Sequence, residues 1–163
     1  MKFAFGLTLL TCLGVCVQPA LSQQLETSFS CSATRNDQGE DALYADSGRI
    51  MIDGDRIDAF HWESALFRAT YGFDCSIDEA DGLLVEATNQ TGASLWHITL
   101  SDALGARVRR GYDYVHGLNC SIRLQRDGGM LSIKPSCPAL CGSRANFSEL
   151  SVDLKTGACR YEE

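Results

Sequence analysis

Apolar and polar residues alternate in short runs along most of this chain, and turn residues separate the runs. Alternation with a period of two puts every second side chain on one face, which is the pattern of a strand with one buried side. The runs at 27–34, 69–77, 82–88, 94–100, 148–154 and 158–161 predict strands, with Lys155-Thr156-Gly157 as the last turn. Arg49-Ile50-Met51-Ile52 leads into Asp53-Gly54 and residues 55–60 lead out of it, so a hairpin is expected there. A second hairpin is expected about Asp127-Gly128-Gly129, because a Gly-Gly turn tolerates the positive φ angles of a two-residue connection. That turn opposes Leu124 to Ile133, Ile122 to Pro135 and Cys120 to Cys137, so apolar residues meet apolar residues. Pro135 lacks an N–H and suggests an edge strand. Residues 101–111 read differently: Ser101 offers an N-cap, Asp102 an early acid, Arg107, Arg109 and Arg110 late cations, and Gly111 a stop. The expected fold is mainly β, a compact antiparallel sandwich or small barrel formed by a meander, with one short helix.

One apolar run breaks the alternation. Residues 3–17 follow Lys2, are too short to span a bilayer, and are interrupted by Pro19. They read as a secretory signal, with the small residues Ala20 and Ser22 placing the cut after Ser22 and the mature chain at 23–163, a single domain. No other stretch is long and apolar enough to predict a membrane span. Loss of Lys2 takes the net charge from −7 to −8. A chain this acidic repels nucleic acid and anionic lipid as a whole and favours neutral or basic partners.

Export changes the meaning of the cysteines. Cys12 and Cys16 fall in the signal, leaving Cys31, Cys75, Cys120, Cys137, Cys141 and Cys159 for an oxidising compartment. Three disulfides are expected. Strand register pairs Cys120 with Cys137 at a non-hydrogen-bonded site, where backbones approach most closely; Cys31 with Cys75 and Cys141 with Cys159 is the simplest completion. A metal site is disfavoured, since Cx3C is not the usual zinc spacing and no histidine lies near Cys137, Cys141 or Cys159. No cofactor is implied.

Chemistry-bearing motifs are sparse. His61, His97 and His116 have no metal-binding companion at short spacing, and His97 alternates away from Trp96, Ile98 and Leu100 toward the wetter face of its strand. GxSxG, HExxH, P-loop and GxGxxG patterns are absent, and Asp53-Gly54-Asp55-Arg56 lacks the rest of a calcium loop. A hydrolase remains an expectation only in that scattered Ser, His and Asp, or Glu63 beside His61, need not be neighbours in sequence. The strongest local composition is Arg107, Arg109, Arg110, Tyr112 and Tyr114, gathered in an otherwise acidic chain. Arginine and tyrosine recur at recognition hot spots and contact glycans or anions by forked bonds and stacking. The same arginines also suit a helix C-terminus, with the tyrosines opening the next strand. Trp62 in Phe60-His61-Trp62-Glu63 is a second binding candidate, or a core tryptophan. Sequons begin at Asn89, Asn119 and Asn146 and matter only in a eukaryotic secretory pathway; the short signal and acidic chain fit a bacterial envelope.

The segment Cys137-Pro138-Ala139-Leu140-Cys141-Gly142-Ser143-Arg144-Ala145 resembles the Cx3CGxRA ending of small uncharacterised periplasmic proteins of Gram-negative bacteria, loosely grouped with lysozyme-inhibitor-like proteins. The resemblance covers nine residues. It implies an exported, disulfide-bonded binding domain and assigns no catalytic residue. The Ser-Gly-x-x-Tyr loop that established lysozyme inhibitors insert into the enzyme cleft is not in this chain. The expected function is therefore a periplasmic or secreted, non-enzymatic binding protein, an inhibitor of a basic cell-wall hydrolase. A glycan or small-ligand module using 107–114 is the second expectation and a small envelope hydrolase the third.

Overall fold

Turn chemistry sets the strands. The computed structural model describes residues 24–37, 39–90, 93–111, 115–142 and 144–162; the expected signal segment lies outside them. The first hairpin joins β1 (Gln24–Asp37) to β2 (Glu40–Asp53), and β2 passes through Gly54 into β3 (Arg56–Phe67). β4 (Gly72–Ile77) completes a four-stranded sheet in the order β1-β2-β3-β4. A 3₁₀ turn at Glu79–Asp81 leads to β5 (Leu83–Gln90), β6 (Ala93–Leu100) and helix α1 (Ala103–Arg109). β7 (Ser121–Asp127), β8 (Met130–Pro135), β9 (Leu150–Asp153) and β10 (Cys159–Tyr161) follow. The second sheet runs β10-β9-β8-β7-β6-β5, so both sheets are antiparallel meanders, as the alternation predicts. Among the described residues no helix is long and apolar enough to cross a membrane.

The Asp127 hairpin forms in the expected register, with Leu124 opposite Ile133, Ile122 opposite Pro135, and Gly128 at φ 57°. Pro135 does not mark an edge strand. β8 lies between β7 and β9, and Pro135 sits beyond the last β9 pair, Ile133 with Leu150, so its missing N–H costs no ladder bond on that side. The Asp53-Gly54 hairpin is longer than the sequence reading: β2 begins at Glu40, and its first half buries Ala42, Tyr44 and Asp46 at every second position. β3 likewise continues to Phe67, beyond the expected end at 60. At the helix, the N-cap is Asp102 rather than Ser101, whose hydroxyl donates to the Gly82 carbonyl instead.

The core lies between the sheets. Phe60, Trp62, Ile50 and Ile52 from the first face Trp96, Ile98, Ile122, Leu124, Leu131 and Ile133 from the second. Trp62 meets Phe147 edge to face at 4.8 Å, an arrangement that adds about 1 kcal/mol to area burial. Trp96 Nε1 donates to the Asp55 carbonyl at 2.7 Å, satisfying the indole and pinning the β2–β3 turn to the second sheet.

The six cysteines among the described residues all pair, and Cys120–Cys137 is the pair that strand register predicts, with Cα atoms 5.8 Å apart. The other two pairings correct the simplest completion. Cys31 joins Cys159 (Cα–Cα 5.3 Å) and Cys75 joins Cys141 (6.4 Å). The reason is sheet closure. β10 comes to lie beside β1: Thr27 Oγ1 donates to the Leu154 carbonyl, and Gly157 passes so near the Ser28 carbonyl that a Cβ there would collide. The Cys31 bridge thus fastens the edge of one sheet to the edge of the other.

Candidate functional site

The arginines at the end of α1 turn inward. Arg107 is 2% exposed, and its guanidinium donates to the carbonyls of His116 (2.6 Å), Gly117 (3.2 Å) and Leu140. Loss of hydration lowers its pKa, with the charge of Asp81 opposing. Arg110 grips both oxygens of Asp81 at 3.0 Å and reaches Asp78 at 2.9 Å. Burial alone would lower Arg110, but the bonds and charges of Asp81 and Asp78 outweigh it and hold it raised. Arg109 is more exposed and donates to the Ala80 carbonyl (2.6 Å) and Asp102 (2.9 Å). These side chains fasten the helix to the 3₁₀ turn and the 116–140 loops. Tyr112 and Tyr114 lie outside the described residues. Trp62 is fully buried, with Nε1 donating to Asp46 Oδ1 at 2.8 Å.

A different set of arginines and tyrosines meets at one end of the four-stranded sheet. Beyond the main core, Ala42, Tyr44 and Leu66 form a small second cluster against which Tyr161 packs. Arg35 lies over the rings of Tyr161 (4.8 Å) and Tyr44 (5.6 Å), and Arg144 lies 4.7 Å from the ring of Tyr71. Between them opens a cleft of about 370 Å³ lined by Glu40, Tyr44, Leu66, Arg68, Tyr71, Arg144 and Ala145. The β3–β4 turn that carries Arg68 and Tyr71 is closed by Arg68 N–H to the Tyr71 carbonyl (2.8 Å), and Glu40 holds it by accepting from Ala69 N–H (3.1 Å). Glu40 also faces Arg68 at 3.5 Å.

Tyr161, which packs on the same small cluster, is held by Asp46, 1% exposed, which accepts from Trp62 and from the Tyr161 hydroxyl at 2.7 Å. Burial pushes its carboxyl up, against the bonds from Tyr161, Ser64 and Trp62 and the charge of Arg35. Burial and the Asp46 bond raise Tyr161 in turn. The cleft gathers the guanidinium groups of Arg68 and Arg144 and the rings of Tyr44 and Tyr71 about one recess.

None of Arg35, Tyr44, Arg68, Tyr71 and Tyr161 is conspicuous in the sequence, because they come from separate elements. Arg144 and Ala145 belong to the 137–145 segment. The signal that leads to Arg35 and Tyr44 is the antiparallel β1–β2 register, which sets Arg35 opposite Ala42 and Ala33 opposite Tyr44. The histidines are dispersed: His61 on β3, His116 in the turn before β7, and His97 on the outer face of β6, exposed as its alternation predicts, with Nε2 2.9 Å from Ser121 Oγ. Among the described residues no three His, Cys, Asp or Glu side chains gather as a metal-binding group.

Comparison with family models, with curated proteins and with solved structures finds no match to this chain. The resemblance of 137–145 stands on its own residues.

Proposed function

We propose that this chain is an exported binding protein whose recognition surface is the Arg–Tyr cleft, and that its partner is a protein of net positive charge, with a basic cell-wall hydrolase as the leading case. Residues 1–22 act as the export signal, and the three disulfides suit an oxidising destination such as the periplasm or the exterior. The observation that carries the reading is the convergence of Arg68 and Arg144 with Tyr44 and Tyr71 about one recess, with Arg35 and Tyr161 stacked beside Tyr44. Arginine and tyrosine are the side chains that most often supply binding energy at protein interfaces, since each combines a large contact area with directed polar groups. The net charge of −8 on the chain without its signal supports a basic partner through electrostatic steering, with the cleft's arginines meeting acidic groups on that partner.

The test is calorimetric titration of the oxidised chain, begun at Gln23, against a panel of basic hydrolases, with hydrolysis assayed in parallel. One-to-one binding and inhibition are expected, weakened about tenfold or more by Arg144→Ala or Tyr71→Ala. Absence of binding to every hydrolase overturns the inhibitor reading. A second reading has its own support: the stacked Arg144–Tyr71 pair also suits a sugar ring. Glycan-array binding lost in the same two variants would replace the protein partner with a carbohydrate.

A further inference from the structure

The outer face of the six-stranded sheet carries a row of charge unlike the rest of this acidic molecule. Strand register places Glu86 opposite His97, His97 opposite Arg123, and Arg123 opposite Lys134. Two cations directly opposed across strands repel each other and destabilise the sheet that bears them. Lys134 has a partial remedy, a 2.6 Å contact with Glu149. Arg123 is exposed and makes no ion pair among the described residues. Beside it lies a recess of about 310 Å³ lined by His97, Ser121, Arg123, Lys134, Pro135 and Ser136.

The hydroxyls in this recess are held in place. Ser121 N–H donates to Ser136 Oγ and Ser136 N–H to the Ser121 carbonyl, each at 2.8 Å, and the Cys120–Cys137 disulfide clamps the two strands one residue further on. Ser136 Oγ already accepts, so its own hydrogen is available to a ligand. With His97 in the Nε2–H tautomer, the 2.9 Å contact makes Ser121 Oγ an acceptor too and frees its hydrogen. A guanidinium fork, an ammonium and two hydroxyl donors thus face one small space from two neighbouring strands, β7 and β8 with the residue that follows it.

We propose that this recess binds a phosphate group. The Arg123 fork alone would satisfy a planar carboxylate, whereas the added ammonium and the two hydroxyls suit an anion with three or four oxygens arranged in three dimensions. The site shares no residue with the Arg–Tyr cleft, and its test is independent of any partner there. Glu149 competes with the ligand for Lys134.

Inorganic phosphate and acetate are titrated into the oxidised protein at low salt, and the backbone amides of Ser121, Arg123 and Ser136 are followed by NMR. Saturable shifts of these amides with phosphate, and at least tenfold weaker effects with acetate, are expected. Arg123→Gln should weaken phosphate binding at least tenfold with the rest of the amide spectrum unchanged. Glu149→Gln should tighten it, a gain that a purely structural role for Lys134 does not produce. No saturable shift, equal response to acetate, or unchanged affinity in Arg123→Gln overturns the proposal. A sugar phosphomonoester distinguishes the sources: tighter binding than inorganic phosphate identifies a phosphate borne on a larger molecule, and equal binding identifies the free ion.

Discussion

Asp46 takes a carboxylate to a position 1% exposed and surrounds it with donors from Trp62 and Tyr161. Desolvation still wins, and burial raises the group's pKa. The native state therefore holds this proton more tightly than the unfolded chain does. Its contribution to stability is fullest below the unfolded pKa of about 3.9 and is lost as pH rises through the higher folded value. Asp46→Asn keeps an acceptor for Trp62 but cannot ionise. Urea melts at a series of pH values should show the stability of the parent falling relative to Asp46→Asn as pH rises from about 4, where the unfolded carboxyl begins to release its proton. A difference that is flat with pH, or that changes in the opposite sense, would show that the bonds outweigh the burial.

At the scale of elements, bridges differ in the length of chain they close. Cys31–Cys159 spans 128 residues and Cys120–Cys137 spans 17. In the chain-entropy account, longer loops restrict the unfolded state more, so the double serine variant at Cys31 and Cys159 should lose about 4 to 5 kcal/mol and that at Cys120 and Cys137 about 3 kcal/mol. Denaturant unfolding of the two variants checks the order, and a non-reducing peptide map should recover Cys75 with Cys141. The reverse order would place the stabilisation in native contacts instead. The same distinction decides what the sequence could reveal. Cys120–Cys137 is legible because a Gly-Gly turn and two alternating runs determine a local register. Cys31–Cys159 depends on β10 reaching the far edge of the other sheet, which no local pattern encodes. The Arg107 to Arg110 stretch shows the converse limit. Its composition suggests a surface, but Asp78 and Asp81, some thirty residues earlier, meet Arg110 only once the 3₁₀ turn and α1 pack together. The cleft was illegible for the same reason, since its cations and rings come from β2, the β3–β4 turn and the 137–145 segment.

For the whole molecule, charge acts at two ranges. The acidic chain repels anions at a distance, while Arg68 and Arg144 outnumber Glu40 in the cleft and make it locally cationic. Under the binding proposal these effects separate in the kinetics. Steering of a basic partner depends on the summed charge and is screened beyond about 8 Å at physiological ionic strength, so added salt should slow association. Contacts at Arg144 and Tyr71 form only after docking, and their strength sets how long the complex lasts. Surface-plasmon or stopped-flow traces at rising salt should therefore show the association rate falling steeply with the dissociation rate nearly constant. Arg144→Ala should do the reverse, raising dissociation with little effect on association. Removing this cation makes the chain more acidic, so any small change in steering toward a basic partner should be an acceleration. Slower association in Arg144→Ala, with dissociation unaltered, would mean that the cleft guides the encounter without being the site that holds the partner.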